Sequence, residues 1–96
     1  MKNTMNTKTK KQKLPKWFDG LHYPEGDMVT NPFSGEEIYL NKIELSMYDF
    51  IKGCEMMISM KGGPFNEESS KLQNEMIKGL DWFRKYSPKA YMVLLD

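Results

Sequence analysis

Cysteine is almost missing from this 96-residue chain, with Cys54 standing alone. A single cysteine forms no intramolecular disulfide, which suits a reducing compartment. Histidine is as scarce: His22 is the only one, so no Cys/His set with zinc spacing exists. No apolar run approaches the roughly eighteen residues of a membrane span, and no apolar signal-peptide core follows the basic start. These absences set the expectation of a cytoplasmic protein with no membrane partner, no metal and no cofactor. Phosphate loops are missing too. KGGP at 61–64 and NPFSG at 31–35 lack the GxxxxGK[ST] order and read as punctuation. The acidic turns EGD at 25–27 and GEE at 35–37 do not follow the calcium-loop pattern and read as solvated.

Charge is present but unevenly placed. Residues 1–16 hold six lysines and no acid; residues 17–96 hold eight lysines and arginines against thirteen acids, a net −5. The start of the chain lacks apolar periodicity, so a disordered basic tail is expected over 1–14, with residues 1–13 mobile in isolation. A single small globular domain is expected over 15–96. Lys8, Lys10, Lys11, Lys13 and Lys16 are the candidates for gripping a nucleic-acid backbone, with Trp17 as a stacking ring. The acidic body argues against a broad nucleic-acid face. Simple solubilisation of the tail is the preferred reading.

Local signals organise the rest. LPKWFDGLHYPEGD at 14–27 is broken by Pro15, Pro24 and two turns, yet carries Trp17, Phe18, Leu21 and Tyr23. It is expected to lie extended across the helices; the competing reading makes these rings a docking site. MVT and EIYL are β-prone runs around an Asn31-Pro32 turn closed by Gly35, which predicts a hairpin of strands 28–30 and 36–40. Val29, Ile38 and Leu40 are its core-facing candidates. Asn41 with Glu44 has capping-box spacing, and Leu40 with Leu45 has staple spacing. They open a helix over 42–60 whose Ile43, Met47, Phe50, Ile51, Cys54, Met57 and Ile58 form a broad stripe. Gly53 interrupts it and suggests a close backbone approach. KGGP ends the helix. Asn66 is expected to cap a second helix bearing Leu72, Met76, Ile77, Leu80, Phe83 and, at its margin, Trp82, with Gly79 in line. Ser87-Pro88 reads as cap plus first-turn proline of a short last helix burying Tyr91, Leu94 or Leu95.

Catalytic constellations are thin, and no catalytic residue is assigned. Cys54 falls on an apolar stripe, where a cysteine is usually a small hydrophobe. A Cys54–His22 pair would need the fold to join them. Nine methionines are many for this length. Core filling is the preferred use of those on the helices, but Met56 and Met57 are adjacent and cannot both face one contact. Met56, Met57 and Met60 are therefore the candidates for a partner surface.

LPKWFDGLHYPEGDMVTNPFSGEEIYLNKIELSMYDFIKG and the terminal GLDWFRKYSPKAYMVLLD, with Trp17-Phe18, the Asn31–Glu36 turn, Tyr48-Asp49-Phe50 and Trp82-Phe83-Arg84, resemble small proteins of marine phages and ocean metagenomes. That resemblance brings no activity, ligand or site. The expected fold is α+β and mostly helical: a small N-terminal β-hairpin, two main helices and a short C-terminal helix. The expected function is that of a small non-enzymatic accessory or adaptor protein, acting by protein binding and self-associating as a homodimer. The alternatives are a nucleic-acid accessory protein using the lysine arm, and a small enzyme.

Overall fold

The computed structural model describes residues 12–63 and 66–96. An irregular segment over 12–26 precedes a two-stranded antiparallel hairpin, β1 (Asp27–Thr30) and β2 (Glu37–Leu40). Helix α1 (Lys42–Met60) follows. A 3₁₀ turn (Glu67–Ser69) leads into α2 (Ser70–Tyr86), and α3 (Pro88–Leu94) closes the chain. The α+β architecture is the expected one, with strand boundaries displaced by one residue.

The hairpin pairs Val29 with Ile38 and Met28 with Tyr39. Side chains alternate across a strand, so Val29, Ile38 and Leu40 turn inward, and Leu40 is fully buried. Met28 and Tyr39 face solvent. Asn31 builds the turn. Its carbonyl oxygen Oδ1 accepts from the Phe33 amide at 2.8 Å, and Gly35 takes the positive φ of 81°. The Asn31 side-chain amide also donates to the Val93 carbonyl at 2.9 Å, tying the turn to the end of α3.

Helix α1 starts where its cap dictates. Asn41 Oδ1 accepts from the Glu44 amide at 2.8 Å, and Glu44 Oε1 accepts from the Asn41 amide at 2.9 Å, completing the capping box. It ends in a Schellman turn: Gly62 has φ 99°, and the Gly63 amide donates to the Ile58 carbonyl at 2.9 Å. Met47, Ile51, Cys54 and Ile58 form its buried stripe. The close approach expected at Gly53 occurs at Gly79 of α2 instead. A Cβ at Gly79 would stand 2.8 Å from Ile51 Cγ1, whereas Gly53 is exposed and has none of the described residues within 4 Å of that position. Gly79 therefore lets α1 and α2 pack tightly, with Phe83 and Met47 fully buried beside the contact.

Two helix starts fall where expected and differ in detail. Asn66 caps the 3₁₀ turn, accepting from the Glu68 amide at 2.8 Å, and α2 proper begins only at Ser70. Ser87 precedes Pro88 but its hydroxyl does not cap α3; it donates to Glu44 Oε2 at 2.8 Å. Of the last helix, Leu94 and Ala90 are buried, while Tyr91 and Leu95 are half-buried.

The segment before the hairpin is pinned as expected for its rings. Trp17 and Phe18 are half-buried, with ring centroids 5.9 and 5.3 Å from that of Phe50. The Tyr23 amide donates to the buried Ser46 hydroxyl at 2.9 Å. Leu21 departs from the pattern and is exposed. Gln12 and Lys13, which fall within the expected tail of residues 1–14, are in contact with the helices. Gln12 donates to Glu44 Oε2 at 2.8 Å and to the Tyr86 carbonyl at 3.0 Å, and its own Oε1 accepts from the Asn41 side chain at 2.8 Å. The indole N–H of buried Trp82 donates to the Lys13 carbonyl at 3.1 Å.

Candidate functional site

Most of the helix methionines do not fill the core. Among the described residues Met47 alone is buried and Met76 is half-buried; Met28, Met56, Met57, Met60 and Met92 are exposed. This corrects the core-filling expectation, and the cause is helical phase. Residues 47, 51, 54 and 58 share the face turned to α2, so Met57 falls on its flank and Met56 and Met60 lie further round. Met60 is 78 % exposed, Met56 65 % and Met57 47 %. Met56 and Met60 are i,i+4 neighbours on one helix surface. They stand at the carboxyl end of α1, and Met57 and Met60 line a shallow hollow with Lys61. A larger hollow of about 340 Å³ opens between α1 and α2, walled by Ile58, Met76 and Ile77, with Glu55 and Gln73 at its edge.

A second groove, of about 500 Å³, runs between residues 19–21, α1 and α2. Phe50, Gly53, Cys54, Met57 and Leu72 line it together with Asp19, Asp49 and Glu75. Cys54 is buried in the wall of this groove. Burial pushes its thiol above the usual range, and the Glu75 charge adds to the effect, so the neutral form prevails at physiological pH. Its suggested partner is elsewhere. His22 packs edge-on against Phe18, with ring centroids 5.2 Å apart, and borders a different hollow with Tyr23 and Ser46. The Tyr23 hydroxyl is also raised, first by the Asp49 charge, then by burial and its hydrogen bond to Asp49. Among the described residues no group of three or more His, Cys, Asp or Glu side chains is placed to hold a metal ion.

Lys8, Lys10 and Lys11 lie outside the described residues. Lys13 and Lys16 are exposed. Trp17 is engaged rather than open: Phe50 lies against it, and Lys78 Nζ stands 5.8 Å from its ring centroid. The three lysine-arm residues that are described are therefore close in sequence but include one ring already occupied.

The sequence reading missed Asp19, Leu21 and Glu75 as groove residues, because no local pattern links a turn to two helix flanks. Gly53 was the one available signal, a helix-breaking residue inside an otherwise well-formed helix. Ile77, read as core, lines the hollow between the helices and is 53 % exposed. Phe33 at the tip of the hairpin is almost wholly exposed.

The fold and these surfaces define a small α+β domain with apolar hollows along a helix pair. Compared with known proteins, the chain matches no family model, no curated protein and no solved structure. Among the described residues no helix is long and apolar enough to cross a membrane.

Proposed function

We propose that this protein is a small accessory or adaptor domain that acts by binding another protein through the methionine-bearing end of α1. The observation that carries this reading is the exposure of Met56, Met57 and Met60 within about one turn of helix. Thioether side chains are flexible and polarisable, so they adapt to a partner at little strain. Three such side chains left in water at a helix end favour a surface that is covered in use. No enzymatic role is proposed.

The test is a double substitution, Met56→Lys with Met60→Lys, which leaves Met57 in place. Both side chains are exposed, so the melting temperature is expected to hold, with any stability change within about 0.5 kcal/mol. Proteins that co-purify with the wild-type chain from the producing cells are expected to be lost with the variant. An unchanged set of co-purifying proteins overturns the reading.

A second reading, a nucleic-acid accessory protein working through Lys8, Lys10, Lys11, Lys13 and Lys16, is favoured by the exposure of Lys13 and Lys16 beside Trp17. Binding of single- or double-stranded DNA or RNA that weakens steeply with salt and vanishes on removing the lysines supports it. Absence of such binding at low salt removes it.

A further inference from the structure

Gly53 sits in the middle of α1, and among the described residues nothing lies within 4 Å of the place a Cβ would take. A glycine there destabilises the helix by about 1 kcal/mol relative to alanine. Among the described residues no contact requires it. It does line the groove between residues 19–21, α1 and α2, where Phe50, Met57 and Leu72 supply apolar walls and exposed Leu21 forms part of the lip.

The same groove is lined by three carboxylates, Asp19, Asp49 and Glu75, and by no lysine or arginine. Among the described residues the ion pairs are Lys52–Glu55 and Asp81–Arg84, so none of the three has a cationic partner. Asp49 stands near the Tyr23 hydroxyl, a neutral group whose pKa its charge raises. Lys71 and Lys78 flank Glu75 along α2 but stay outside the lining, and Lys78 is turned onto Trp17. The groove is thus apolar, about 500 Å³ in volume, negatively charged, and bare of side chain at one point on its α1 wall.

We infer that this groove receives an amphipathic helix of a partner protein, with its apolar side chains against Phe50, Met57 and Leu72 and its lysines or arginines against Asp19, Asp49 and Glu75. The inference rests on the protein-binding reading above and names the chemistry of the partner. A missing Cβ lets a second backbone come close, because interaxial distance follows the side chains at the contact. The carboxylates then select a basic helix and repel an acidic one. They equally repel a nucleic-acid backbone.

The probe is a short synthetic helix of leucine and lysine, titrated into the full chain and followed by amide chemical shifts. Its twin carries glutamate at every lysine position. The shifts are expected at Leu21, Gly53, Cys54 and Leu72, with the twin binding roughly tenfold or more weakly and the lysine peptide weakening as salt rises. Gly53→Leu fills the bare point and is expected to abolish binding while the melting temperature holds or rises. Should that variant fold poorly, the triple change Asp19→Asn, Asp49→Asn, Glu75→Gln is expected to remove the preference for the lysine peptide. Equal binding of both peptides, shifts confined to other surfaces, or undiminished binding by Gly53→Leu overturns the inference. A free protein that dimerises and is made monomeric by Gly53→Leu also overturns it, since a second copy then fills the groove. If the groove ignores the probe while Met56→Lys with Met60→Lys still loses its partner, this inference alone falls and the binding reading stands.

Discussion

Gly53 and Gly79 are each a glycine inside a helix, and they differ only in what faces them. At Gly79 a Cβ would press on Ile51 Cγ1 at 2.8 Å and approach Met47 Sδ at 3.5 Å. Both neighbours are buried and cannot swing away. Gly79→Ala is therefore expected to destabilise the domain by about 1–2 kcal/mol, overpacking outweighing the gain in helix propensity. Gly53→Ala meets open space and is expected to stabilise by up to about 1 kcal/mol. Urea denaturation of the two variants checks the opposite signs; a stabilised Gly79→Ala would show that the helix contact relaxes freely. Cys54 adds a pH effect. Burial and then the Glu75 charge raise its pKa above the ordinary value of 9.0. The folded state holds that proton more tightly, so this contribution is complete below pH 9.0 and is lost as pH rises through the raised value. Tyr23 acts in the same direction above 10.0. Stability is expected to fall from pH 9.0 upward, less steeply in Cys54→Ala, and denaturation curves across that range compare the two slopes.

At the scale of elements, one carboxylate joins three parts of the chain. Glu44 closes the capping box of α1, accepts from Gln12, and accepts from Ser87 between α2 and α3. Hydrogen bonds to a charged group are stronger than neutral ones. Glu44→Ala is expected to destabilise by about 2–3 kcal/mol, and Glu44→Gln by less, because one acceptor oxygen remains. Asn41→Ala, which removes the cap but leaves the Ser87 bond, is expected to cost about 1 kcal/mol. Denaturant midpoints for the three variants test that ranking. The capping box was legible in sequence because it is local: four consecutive residues and two backbone amides specify it. The Gln12 and Ser87 bonds to the same carboxylate were not legible. Their partners are separated by 32 and 43 residues, and only the packing of α1 against α2, with the 12–26 segment laid beside them, brings them together.

For the whole molecule, Gln12 and Lys13 tie the start of the described chain to the helices. Deleting residues 1–11 is expected to leave the melting temperature nearly unchanged, as their composition offers little to bury. Deleting through Lys13 removes the Gln12 bridge and leaves the Trp82 indole N–H without its carbonyl. That deletion is expected to cost about 2 kcal/mol, read as a drop in melting temperature of several degrees. Equal melting of the two deletions would show that water replaces both contacts. Self-association belongs to this scale too. A domain this short is marginal by itself, and Met56, Met60, Ile77 and Phe33 leave apolar surface in solvent. The expected outcome of sedimentation equilibrium is a concentration-dependent dimer whose melting temperature rises with concentration. A mass fixed at one chain up to high micromolar concentration removes it.

Sequence alone determined the hairpin, the limits of α1 and the inward face of each strand, since turns, caps and alternation act between residues a few positions apart. It also determined that Val29, Ile38, Leu40, Met47, Ile51 and Phe83 belong to or border the core. It did not determine which glycine meets a neighbouring helix, because Gly53 and Gly79 carry the same local signal. It did not determine which methionines are covered, because an apolar side chain is buried only if another element reaches its side of the helix. Tertiary structure decided both. Helix α2 crosses α1 at Gly79 over Met47 and Ile51, and among the described residues no element reaches Gly53, Met56 or Met60. The exposed surface of α1, and with it the groove, is what that single packing choice leaves uncovered.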